Sequence, residues 1–191
     1  MSKILKWTAV SIVVLIVIAY SGLRLLGPGM LEKALNKQLA YTPLTVTTET
    51  QQLHDTLQVM DWHADTLLWN RDFLDRADRG QVDLPLLTEG GIGFQMLTAV
   101  TKSPRGQNYS ENSTEAPDNI TSLAVVQGWP VATWGSLLKR ALFQADKLRD
   151  VVARSGGSVR WIKSQSDLEA HLQNQSPALA VSLEELQIAS V

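Results

Sequence analysis

The sequence predicts an α/β fold behind an N-terminal apolar segment, and three observations lead to it. From residue 57 onward, short apolar runs of strand length alternate with stretches of helical periodicity, which implies a parallel sheet covered by helices, either doubly wound or closed into a barrel. An uncharged stretch near the amino terminus is long enough to cross a bilayer. The composition is globular, with 191 residues, 45% apolar, and 17 Lys and Arg against 19 Asp and Glu. Residues 1–56 hold five of the basic and three of the acidic side chains, so 57–191 is mildly acidic and nucleic acid is not an expected partner. There is no cysteine, which removes disulfides, thiolate metal sites and cysteine nucleophiles. Any metal must be held by His, Asp or Glu.

The first unit, residues 1–26, reads as a membrane anchor or signal segment. Trp7 to Leu23 carries no charge, follows Lys3 and Lys6, and is closed by Arg24. Its seventeen residues cover roughly 25 Å as a helix, which Leu25 and Leu26 extend while Arg24 snorkels. A single-pass anchor in a bacterial inner membrane, with the domain on the periplasmic side, is the expectation. The alternative is secretion after cleavage near Ala19-Tyr20-Ser21. Residues 27–56 read as a juxtamembrane spacer, in which Gly27-Pro28-Gly29 ends the span, Met30 to Leu39 forms a short amphipathic helix, and Thr42 to Thr50 links onward.

Residues 57–191 read as the α/β domain. Leu57 to Met60 is a strand ending at Asp61, and Thr66 to Ala77 a helix. Ile92 to Val100 is a second strand, and Thr101 to Asn119 a long polar loop. Helical pattern occupies Ile120 to Gln127, breaks at Gly128-Trp129-Pro130, and resumes from Val131 to Arg154. Val159 to Ile162 is a third strand. Ser166 and Glu169 have capping-box spacing for a helix to about Gln173, and Ala178 to Leu183 is a fourth strand ending on Glu184. No Gly-rich phosphate loop follows a strand. The sequons at Asn108, Asn112, Asn119 and Asn174 read as polar loop composition.

The chemistry centres on His63 and Asp65. Side chains two apart in an extended segment point to the same side, so the pair can grip one ion. Imidazole with carboxylate suits a divalent cation such as Zn²⁺. Glu184 ends a later strand, and the carboxyl ends of parallel strands gather on one face, so a third ligand can converge there. Asp61 either orients His63 or caps the turn. His171 is expected to face solvent, and His54 has no role.

Val59-Met60-Asp61-Trp62-His63-Ala64-Asp65-Thr66 resembles the first metal motif of the membrane dipeptidase (renal dipeptidase) family. Gln81-Val82-Asp83-Leu84-Pro85-Leu86 followed by Glu89-Gly90-Gly91-Ile92-Gly93-Phe94-Gln95 resembles that family's next segment, and Ala180-Val181-Ser182-Leu183-Glu184 the strand carrying its bridging glutamate. The resemblance spans about residues 57–187. It implies a (β/α)8 TIM-type barrel, of which this chain holds the first part, and zinc-dependent hydrolysis of dipeptides using two Zn²⁺ ions. His63 and Asp65 would bind the first ion and Glu184 would bridge both.

Trp62 and Ala64 replace the family's usual Gly and Asn, and Glu185 stands where a Gly is general, either disturbing the site or pointing away. The family's remaining metal histidines, substrate-binding residues and catalytic aspartate would all lie beyond Val191. The expectation is therefore a truncated N-terminal portion whose own turnover is weak or nil. The alternative is a membrane-tethered binding or degenerate module of the same fold.

Overall fold

The computed structural model describes residues 3–40, 42, 44–173 and 178–184, with Glu184 described through its backbone alone. Its elements run α1 (Lys3–Leu35), α2 (Thr48–Asp55), β1 (Val59–Ala64), α3 (Leu84–Glu89), β2 (Ile92–Thr98), α4 (Asn119–Gln127), α5 (Leu137–Arg154), β3 (Val159–Trp161), α6 (Gln165–Gln173) and β4 (Leu179–Glu184). Short 3-10 turns lie at Thr66–Leu68 and Val131–Thr133.

The four strands form one parallel sheet in the order β1-β2-β4-β3. The α/β reading therefore stands. Right-handed crossovers explain where the helices lie, because β1 to β2 and β2 to β3 advance across the sheet whereas β3 to β4 steps back. Leu97, Leu179 and Val181 pack with Leu87 of α3 and with Leu148 and Val151 of α5. Phe94 and Ala180, of opposite parity along the same strands, pack instead with Leu168 of α6. Helices thus cover both faces, as in a doubly wound sheet.

Several elements differ from the sequence expectation for identifiable reasons. α1 does not stop at Gly27-Pro28-Gly29 but runs through it to Leu35. Pro28 removes a single backbone donor, and contacts on either side hold the helix together: Gly27 lies on Val126, and Glu32 is buried between Arg71 and Arg79. The separate Met30 to Leu39 helix is consequently the end of α1. The Thr-rich stretch becomes helical at Thr48, where the Thr47 hydroxyl accepts from Thr50 N–H.

Only the three residues Thr66–Leu68 are helical; Trp69 to Val82 is irregular. Side chains there capture the backbone groups that a helix needs. Asp72 accepts from Leu74 N–H, Asp83 from Ala77 and Leu86 N–H, and Arg71 donates to Arg79 O. The Val131 to Arg154 helix begins at Leu137, capped by Ser136. For α6 the cap is Ser164 with Asp167, two residues earlier than the Ser166 and Glu169 pair.

Candidate functional site

β1 runs on past Asp61, so His63 lies inside the strand and Asp65 just beyond it. Between Asp61↔Gln95 and Ala64↔Leu97, β1 advances three residues while β2 advances two. The extra residue is a bulge at Trp62 and His63, a device that re-aims side chains. Asp65 then leaves the extended conformation, at φ −85° and ψ 24°. Simple alternation is therefore not what brings the pair together, yet His63 Nε2 lies 3.3 Å from Asp65 Oδ1. Both side chains are open to solvent.

The neighbours fix this geometry. Asp61 Oδ1 accepts from His63 N–H at 3.2 Å, so of its two expected roles Asp61 takes the turn cap, holding the bulge by its backbone. The Thr98 hydroxyl, at the carboxyl end of β2, has its one proton shared between Asp65 Oδ1 and Ala64 O. The register Thr98↔Glu184 places the backbone of Glu184 on the next strand at this same level. The Glu184 side chain and all of Glu185 lie outside the described residues. Among those described, no three His, Asp or Glu side chains stand together as a complete ligand set. His63 and Asp65 nonetheless fit one side of a Zn²⁺ or similar divalent ion in donor type and accessibility.

The pair opens into a cleft of about 380 Å³ that is also lined by Arg71, by Leu35 at the end of α1, and by Asn36 and Lys37 just after it. α1 is held there by a buried charge cluster. Glu32 reaches Arg71 at 3.4 Å and Arg79 at 3.3 Å, Asn36 O accepts from Gly80 N–H, and Gln38 donates to Gly80 O. Gly80 adopts φ +73°, and a Cβ there would overlap the Arg71 guanidinium, so glycine is required. Behind the cleft Lys147 donates to Leu67 O and Trp69 O, clamping the turn that follows Asp65. Burial pulls its ammonium down to about 8, against the opposing attraction of Glu32 and with the repulsion of Arg71.

The two remaining histidines sit away from the cleft. His171 is buried rather than solvent-facing: its Nδ1 has no hydrogen-bond partner among the described residues, and burial followed by the charge of Arg160 lowers its pKa. It lines an apolar cavity of about 350 Å³ with Leu57, Met60, Phe94 and Leu168, at the amino-terminal ends of the strands. His54 lies in α2 near Gly91.

Thr98, Lys37, Arg71, Glu32 and Lys147 were not marked by any motif. Thr98 alone carried a usable signal, since it sits at the carboxyl end of a strand in a parallel sheet. No family model and no curated protein matches this chain.

Proposed function

We propose that this chain is part of a membrane-anchored, metal-dependent hydrolase of dipeptides, with His63 and Asp65 as metal ligands and Glu184 as the bridging carboxylate. The observation that carries the reading is the 3.3 Å approach of His63 Nε2 and Asp65 Oδ1 in an open cleft at the carboxyl end of a parallel sheet. Zinc bound there would polarise a scissile carbonyl and lower the pKa of water. Thr98 orients Asp65, Asp61 holds the bulge, and Lys37 offers a cation that suits the free carboxylate of a small peptide. The cleft volume falls at the lower end of small-molecule sites, about 300 to 1,000 Å³.

On this reading β1, β2 and β4 are strands of a (β/α)8-type barrel, and β3 with α6 is an addition that covers the amino-terminal end of its inner face. α1 is an anchor in a bacterial inner membrane with the domain on the periplasmic side. In support, α1 is uncharged from Trp7 to Leu23 and is long and apolar enough there to cross a bilayer.

The test is zinc content, by mass spectrometry, of the detergent-purified chain after zinc loading and dialysis, alongside hydrolysis of a dipeptide panel. Wild type is expected to retain zinc and His63→Ala to lose most of it. Equal retention by the variant overturns the ligand assignment, and dipeptide hydrolysis that wild type shows and His63→Ala lacks favours the enzyme over a binding module.

A further inference from the structure

We infer a second lipid-contacting surface beside the anchor: the uncharged segment from Gly128 to Leu138, joined by Leu142 one turn into α5, rests on the bilayer interface where α1 emerges. The inference rests on the membrane-anchor reading above.

The level of this segment follows from what α1 touches. Arg24 is the first charge after the apolar stretch, and its guanidinium lies so close to Gly128 that a Cβ there would overlap it. Gly128 adopts φ +74° and ends α4, so the connection from α4 to α5 starts at the height where the span ends. At 1.5 Å rise per residue, Asn36 and the cleft lie about 18 Å further along the helix. The cleft therefore lies well outside the bilayer. The α4 to α5 connection is the membrane-proximal part of the domain.

Its sequence and exposure suit that position. Residues 128–138 carry no charge, and Val131, Leu138 and Leu142 are 71%, 53% and 48% exposed. Pro130 and Ala132 are exposed as well. Leu138 and Leu142 share one face of α5, four residues apart. The patch is rigid: Trp129 is buried against Phe143 with ring centres 4.9 Å apart, and Trp134 Nε1 donates to Trp129 O. Lys139 follows at the edge, exposed and cationic, as an anionic headgroup surface prefers. Large aliphatic side chains fixed outward gain nothing in water, whereas in the interface each removes apolar area from it.

The chain contains no cysteine, so single-cysteine labelling needs no background removal. The whole chain is reconstituted in vesicles of phosphatidylcholine and phosphatidylglycerol with a nitroxide at Val131→Cys or Leu138→Cys. Ile16→Cys serves as the span control and Tyr109→Cys as the aqueous control. The ratio of collision rates with oxygen and with a water-soluble nickel chelate is expected to be several-fold higher at 131 and 138 than at 109. Aqueous values at 131 and 138 beside a lipid value at 16 overturn the inference and leave the anchor standing. An aqueous value at 16 overturns the anchor, and the inference with it. Dipolar broadening at 131 or 138 that vanishes on dilution with unlabelled chain assigns the patch to a second copy and overturns the inference.

Discussion

Arg140 uses all five of its N–H groups inside the protein. Nε donates to Thr133 O, one terminal nitrogen to Thr101 O and Asp118, the other to Thr121 Oγ1 and Trp134 O. It is 2% exposed and ties the long polar loop, through Asp118, to the start of α5. A lysine has three donors and no fork, so Arg140→Lys cannot reproduce the set. Arg140→Met is expected to cost about 3 to 5 kcal/mol in urea denaturation, because Asp118 and three carbonyls lose their partner. Burial pushes the Asp118 carboxyl up, but Ser103 N–H, the Arg140 guanidinium, Ile120 N–H and the Thr121 hydroxyl outweigh it and hold the group at about 2. The folded value lies below the ordinary 3.8, so the stability it contributes is complete above that value and is lost as pH falls toward 2. Asp118→Asn should flatten the pH dependence of stability in that window and lower stability at neutral pH.

The candidate ligands were readable at this scale, and their geometry was not. His63 and Asp65 stand out as a spaced pair of metal-suited side chains. Their meeting depends on a one-residue slip against β2 and on the bend at Asp65, and neither has a local sequence mark. Arg140 was illegible for a related reason: its partners lie 6 to 39 residues away, and only the folded loop gathers them.

At the scale of elements, the docking of α1 is decided by one buried carboxylate. Glu32 faces two arginines, and removing its charge leaves both cations uncompensated at a helix-to-domain contact. Glu32→Gln is expected to destabilise the chain by about 3 kcal/mol. Because Glu32 is the group that raises the Lys147 pKa, the same variant should push that ammonium below about 8, read by NMR titration of the lysine side chain. An unchanged Lys147 would mean that Glu32 does not act across the cleft wall. Helix periodicity found α4 and most of α5 and α6, because amphipathic or capped segments announce themselves. It failed for Trp69 to Val82, where Asp72, Asp83 and Arg71 hold the backbone through side chains that the apolar pattern does not register.

For the whole molecule, strand order matters more than strand number. The alternation of strands and helices was legible, but the back-step of β3 to β4 was not, since reversal depends on which edge the chain meets after α5. Among the described residues β2 and β4 each pair on both sides, whereas β1 and β3 each pair on one. Hydrogen exchange should therefore be slowest in Phe94–Leu97 and Ala180–Val181, faster in β1, and fastest in the loop around Tyr109. Uniform protection across the sheet would contradict the central placement of β2 and β4.

The uninterrupted course of α1 through Pro28 has one more consequence. A domain hung on a flexible tether tumbles, and its mouth sweeps every direction before a substrate finds it. Here the same helix that carries the apolar stretch also supplies a wall of the cleft, so there is no swivel between them. Whatever holds the amino-terminal half of that helix also sets the compass bearing from which a molecule must approach His63 and Asp65.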